Sequence, residues 1–259
     1  MQTNQMRKAA FVPSAALRPY VRRFLIVEYT AGLTNSLLPE MGFVTAFRFK
    51  GECLLNGNRA PNSLVTGLRD SARMLTHSGN CGNIVAMFTP MGAATFLREP
   101  VEELFNGSMP LDCQVRRSEL DLVEEQLAET PDHERRVALV ERFLLEQKRD
   151  REPDLQMAAA VTRIHAMRGS LRIGSLARYT GLSQSALERR FRRAVGTTPK
   201  KFATIVRLRH VVRLRQAGRS LTEIAHAAGY ADQPHFIKDF KRFAGETPEA
   251  FFQTATAFC

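Results

Sequence analysis

Two short runs of side chains stand out for what they could bond. Between Gln184 and Val195, the apolar residues Leu187, Phe191 and Val195 recur four apart and would take one side of a helix. The other side presents Gln184, Ser185, Glu188, Arg189 and Arg192. Further on, Phe236, Ile237, Phe240 and Phe243 would point inward and leave Gln233, Pro234, His235 and Lys238 outside. These are hydrogen-bonding groups for flat partners, not activated nucleophiles or paired acids. Glutamine bonds adenine in a bidentate way, arginine or lysine bonds guanine, and glutamate accepts from cytosine N4. The chemistry expected is the reading of base edges. Glu188 has a second role open to it, a surface pair with Arg192 one turn on. Likewise Arg189, Arg190, Arg192 and Arg193 would serve equally as a solvated basic face.

Other chemistries find little support. The cysteines Cys53, Cys81, Cys113 and Cys259 lie far apart with no CxxC, so they read as buried or idle thiols and not as a disulfide framework or metal site. Residues 24–89 hold one histidine, His77, with no HxH or ExxH pair, which argues against an enzyme there. His133, His165, His210 and His226 read as ordinary structural or surface residues, and Gly42, Gly67, Gly79 and Gly82 as turns. No catalytic residue, metal or cofactor is expected.

The chain has 259 residues, 44% hydrophobic and 24% charged, the composition of a globular protein of one large or two ordinary domains. No run of 18 apolar residues exists, and the first 25 residues lack an unbroken apolar stretch, so neither a spanning helix nor export is indicated. Residues 155–259 carry 18 Lys and Arg against 6 Asp and Glu, a net of +12, while residues 1–154 sum to −1. So concentrated a charge calls for a polyanion, nucleic acid first and an anionic membrane surface second.

The elements that must position these residues divide into two parts. Phe24–Tyr29, Phe43–Phe49, Cys53–Leu55, Ser63–Thr66, Ala72–His77 and Asn83–Thr89 read as short strands, with Asn56-Gly57 as a tight hairpin turn. Such spacing suggests a sandwich or small barrel, with Phe43, Phe47 and Phe49 as core before ligand pocket. Helices are expected at 118–128 and 132–147, as a dimer seam or packed on the barrel. The charged run Lys148–Asp154 reads as an exposed linker, which places a domain boundary at about 150–154.

Beyond it the sequence repeats. Shifted by 49 residues, Arg189–Phe202 (RRFRRAVGTTPKKF) matches Lys238–Phe251 (KDFKRFAGETPEAF) at six of fourteen positions. Each copy reads as helix, tight turn, helix. In the first, Ile173–Thr180 ends at Gly181, and Ser183 caps Gln184–Val195. In the second, Ser220-Leu221-Thr222-Glu223 is a capping box, the helix ends at Gly229, and Asp232 caps the next. Between the copies Lys200–Ala217 has no Gly or Pro before its end and carries Phe202, Ile205, Val206 and Val212 as a stripe. As one helix it would span ~27 Å, comparable to the ~34 Å of one DNA turn. Arg207, Arg209, Arg213 and Arg215 on it would approach phosphates.

These residues resemble the AraC/XylS family of bacterial transcription regulators. The likeness is carried by IGSLARYTGLSQSALERRFRRAVGTTPKKF and LTEIAHAAGYADQPHFIKDFKRFAGETPEAFF, over about 155–252. The fold it implies is α+β: an N-terminal cupin-like β-barrel or sandwich with helices (1–150, effector-sensing or dimerisation), then an all-α part (155–259) of two helix-turn-helix modules joined by a long helix. Carried over, Ser185, Glu188 and Arg189, then Gln233, His235 and Lys238, would read bases; Pro234 departs from the polar residue usual at its place. Leu38–Gly42 and Gly92–Leu97 resemble segments of less characterised members. The partner implied is double-stranded DNA, with RNA polymerase, a small-molecule effector and a second copy of the chain left open, and no membrane. A non-enzymatic cytoplasmic protein, at the nucleoid when bound, is expected, with activation favoured over repression.

Overall fold

The structure, a computed structural model, describes residues 6–254; Cys259, read above as an idle thiol, lies outside them. The first half is built from two antiparallel sheets. Strands β1 (Met6–Phe11), β2 (Val21–Tyr29), β4 (Val44–Lys50), β7 (Ser63–Thr66), β9 (Cys81–Phe88) and β10 (Ser108–Pro110) form a six-stranded sheet in the order β1-β2-β9-β4-β7-β10. Strands β3 (Leu33–Leu37), β5 (Cys53–Leu55), β6 (Asn58–Arg59) and β8 (Arg73–His77) form the smaller one, ordered β3-β8-β5-β6. Asn56 and Gly57, at φ 50° and 85°, close the β5–β6 hairpin as their types require.

Period-two alternation decides which side of the larger sheet is sealed. Phe47 on β4 meets Phe143 edge-on, ring centroids 5.6 Å apart, where helices α1 (Arg117–Glu129) and α2 (His133–Gln147) cover the sheet. Both helices therefore pack on the sheet, and Phe43, Phe47 and Phe49 are core. Strands β1, β3, β6 and β10 lie outside the stretches that the sequence pattern marks as strands. β1 is a charged edge strand paired only with β2, and β3, with the polar sequence LTNSL, exists through its five-residue register with β8.

The chain turns all-helical between Gln147 and Leu155: α3 (Leu155–Ala166), α4 (Ile173–Thr180), α5 (Gln184–Val195), α6 (Pro199–Gln216), α7 (Leu221–Ala227), α8 (Gln233–Ala244) and α9 (Pro248–Thr254). Helix α3 adds an element the sequence reading lacked. Two apolar clusters hold this part. One runs unbroken from Phe24 and Phe47, through Val101 and Leu104, to Leu187, Phe191 and Phe202; the other joins Leu208, Val211 and Val212 of α6 to Ile224, Phe236, Phe240 and Phe251. Helix α6 thus belongs to both.

Five polar contacts add to the junction of the two halves. Arg209 of α6 donates to the carbonyls of Pro39 (2.6 Å) and Leu38 (3.0 Å) and to the Glu40 carboxylate. Lys201 pairs with Asp70 at 3.0 Å, and the Ala72 amide donates to the Phe243 carbonyl at 2.6 Å.

Candidate nucleic-acid interface

Each module is a supporting helix, a turn through a left-handed glycine, and a second helix. Gly181 and Gly229 stand at φ 70° and 73°, and Gly196 and Gly245, closing the second helices, at 88° and 82°. That agreement is the backbone form of the repeat: an L side chain there would be strained, so only glycine ends both helices cheaply. The N-termini are fixed equally locally. Ser183 Oγ accepts from the Ala186 amide at 3.2 Å, Asp232 from the His235 amide at 2.7 Å, and Ser220 and Glu223 form the reciprocal capping box.

Below these helices the aromatic positions are closed. Leu187, Phe191 and Phe236 are 0% exposed and Phe240 1%. Above them the outer faces are open. Gln184, Ser185, Arg189 and Arg192 on α5, and His235 and Lys238 on α8, are exposed, and no part of the N-terminal half covers them. Two of the candidate residues are engaged within the chain. Glu188 is half-buried and lies 3.7 Å from Arg192, the surface pair anticipated as its second role. Gln233 is half-buried, and its Oε1 accepts from Thr222 at 2.9 Å. Pro234 is exposed in the first turn, and the His235 ring stands edge-on to Tyr230 with centroids 5.4 Å apart.

The basic residues around the faces separate into two kinds. Arg189, Arg192, Arg193, Arg213 and Arg215 are exposed. Arg190, Arg207 and Arg209 are not free, which corrects the expectation that all four arginines of α6 approach phosphates. Arg190 grips both carboxylate oxygens of Asp154 (2.8 and 2.9 Å from Nη2) and reaches Gln156. Arg207 lies over the Tyr230 ring, 4.6 Å from its centroid, and 3.6 Å from Asp239. Arg209 is spent on the junction described above.

Asp239 is the residue the sequence reading overlooked. Besides Arg207 it accepts from the Tyr230 hydroxyl at 3.0 Å and pairs with Arg242 at 2.9 Å. Burial raises the Tyr230 pKa, so it stays a donor to that carboxylate. A signal was available: Asp239 aligns with Arg190 in the repeat, a charge reversal at a position otherwise flanked by matches.

Comparison with known proteins agrees with this geometry. A family profile described as a helix-turn-helix domain matches residues 176–254, and one described as a domain of unknown function (DUF6597) matches residues 9–110. The transcriptional activator RhaS of Pectobacterium carotovorum is 35% identical over 78 residues, 30% of this chain and 28% of RhaS. The transcriptional regulator GlxA of Rhizobium meliloti is 40% identical over 75 residues, 29% of this chain and 23% of GlxA. The chain therefore aligns with less than a third of the length of these curated relatives. Over nearly the whole chain, the fold is that of ToxT from Vibrio cholerae: TM-score 0.54 at 10% identity, covering 96% of this chain and 98% of ToxT. With their duplicated module and joining helix, residues 176–254 thus match a helix-turn-helix domain and are similar to the corresponding part of these transcription regulators.

Proposed function

We propose that this protein is a sequence-specific DNA-binding transcription regulator, with α5 and α8 entering successive major grooves on one face of a duplex. The observation that carries the reading is the pair of open, polar, donor-rich helix faces joined by one uninterrupted 18-residue helix. At 1.5 Å per residue that helix is ~27 Å long, on the scale of the ~34 Å between successive grooves. Gln184, Ser185, Arg189, Arg192, His235 and Lys238 are the base- and phosphate-contacting set, with Gln233 donating through its amide nitrogen and Glu188 reading a base only if it leaves Arg192. A net charge of +12 on residues 155–259 supplies the non-specific attraction.

The N-terminal half, 1–150, takes the sensing or dimerising role in this reading, acting on the DNA-binding half, 155–259, through the shared core and the Arg209 contacts. Two observations support it: one apolar cluster joins the halves, and ToxT, of the same fold, has been seen bound to (E)-4-(8-methylnaphthalen-1-yl)but-3-enoic acid. The direction is read as activation, the role in which RhaS is named. Nothing in the reading needs an enzymatic step. Among the described residues no helix is long and apolar enough to cross a membrane, and the protein is taken to work in the cytoplasm with RNA polymerase as its downstream partner.

Selection from a random duplex pool, followed by titration across salt concentrations, tests the proposal. A recovered motif in two halves about one helical turn apart, with affinity falling steeply as salt rises, is the expected result. Equal affinity for all duplexes and for RNA at moderate salt would overturn it.

A further inference from the structure

A cavity of about 390 Å³ opens where β4, β7 and β10 of the larger sheet meet α1. That is within the size range of small-molecule sites. Strand β4 and residues 60–63 bring Arg48, Asn62 and Ser63 to it, and the opposite side brings Asp112, Arg117 and Glu124. Its apolar lining is Pro61, Pro110 and Leu120.

The charges around it do not all cancel. Arg117 is engaged by Asp121 at 2.7 Å and Asp112 at 3.2 Å, and Arg59, at the rim, by Glu52 at 2.9 Å. Arg48 is the cation without such a match. It is only 8% exposed and donates to the Ala60 carbonyl at 3.0 Å and to Asn62 Oδ1 at 2.7 Å, neither of them a carboxylate. Glu124 is the corresponding anion. Its side chain is 13% exposed, and its contacts are long: Arg117 at 3.9 Å and Asn62 Nδ2 at 3.5 Å. Ser63 Oγ is buried with no hydrogen-bond partner. A buried cation and a buried hydroxyl in this state are costly unless something completes them.

Asn62 measures the gap between the two unmatched charges. Its exposed amide accepts from Arg48 and donates to Glu124, so Arg48 Nη2 and Glu124 Oε2 stand within about 8.5 Å of each other. The carboxylate and ammonium of an α-amino acid, with a hydrogen bond at each end, bridge a gap of about that length.

We propose that this cavity binds a free α-amino acid with an aliphatic side chain. Its carboxylate sits on Arg48 and Ser63 Oγ and its ammonium on Glu124, with the Asn62 amide swung aside. The side chain lies along Pro61, Pro110 and Leu120. One unmatched charge of each sign calls for a zwitterion, since a simple anion or cation would leave the other charge unpaired. This names a ligand class for the sensing role given above to the N-terminal half, and it rests on that reading.

Calorimetric titration of the full chain, without DNA, tests it. The probes are L-alanine, L-valine and L-leucine, each beside its amide, which lacks the carboxylate, and its deaminated acid, which lacks the ammonium. At least one amino acid should bind one to one, with its two analogues weaker by about tenfold or more, the worth of one charge-assisted contact. Glu124→Gln should weaken that amino acid by about tenfold and leave its deaminated acid unchanged or tighter. If Glu124→Gln does not fold, Arg48→Gln must weaken the same amino acid by about tenfold and spare its amide. No binding of any of the three at millimolar concentration, equal binding of an analogue, or undiminished binding by the variants overturns the proposal. Duplex affinity is read separately, so failure here leaves salt-dependent DNA binding standing, and failure there leaves this titration standing.

Discussion

In the first helix-turn-helix module Arg190 of α5 reaches back to Asp154, the residue that caps α3. In the second, Asp239 of α8, the aligned position, reaches back to Arg207 of α6. The second helix of each module is thus pinned to the helix that precedes the module, by an ion pair of opposite polarity. Glycine caps, buried phenylalanines and the Thr-Pro opening of the following helix match between copies because backbone geometry allows little else there. The polarity of a tether is free to invert, since an ion pair asks only that its ends be complementary. The settings differ too. Asp239 is 13% exposed and shared by three donors, whereas Arg190 and Asp154 are 35% and 29% exposed. The first module's core is broadly continuous with the N-terminal half, while the second has its own cluster, to which that half adds Leu38 as its one buried residue among those described.

The largest effects should separate the cores. Phe191→Ala and Phe240→Ala should each cost about 3–5 kcal/mol. Hydrogen exchange should show the first loosening both halves and the second loosening mainly 208–251; matching patterns would erase the distinction. Next, Asp239→Ala should cost about 2–3 kcal/mol in denaturant unfolding, because the Tyr230 hydroxyl and Arg207 lose their buried acceptor. Arg189→Ala and Lys238→Ala should leave the unfolding midpoint in place and weaken the selected duplex by about 1–3 kcal/mol each. An unaltered duplex affinity for either would remove that module's face from the interface. The smallest change belongs to Arg190→Ala, at most about 1 kcal/mol of stability for so exposed a pair. A full Asp239-sized loss on Arg190→Ala would show the two tethers equivalent after all.

The two modules and the helix between them were legible almost to the residue, because their signals are local. Ser183, Ser220 and Asp232 cap where they stand, Gly181 and Gly229 turn where they stand, and the spacing of Leu187, Phe191 and Val195 leaves one outer face. The outer sets on α5 and α8 followed from that spacing alone. The fates of Arg207 and Arg209 did not. Seen along α6 they are two more basic residues, and only the folded chain brings Tyr230 and Asp239 to one and Leu38–Glu40 to the other. In the N-terminal half β3 gave no pattern of its own, since its pairing with β8 crosses 36 or more residues. The cavity that Arg48 and Glu124 share was hidden for a similar reason: alternation says which residues share a face, not what comes to lie beside it.

Helix α6 contains neither glycine nor proline after its first residue, and both apolar clusters grip it. It therefore works as a phase spacer. One residue added to its middle would advance the second module by ~1.5 Å and swing it through ~100° about the helix axis. Length changes there are screw motions, and only insertions near a whole number of turns would return both outer faces to the same side. Drift in the bases each module meets can be gradual, but the angle between the modules can change only in jumps.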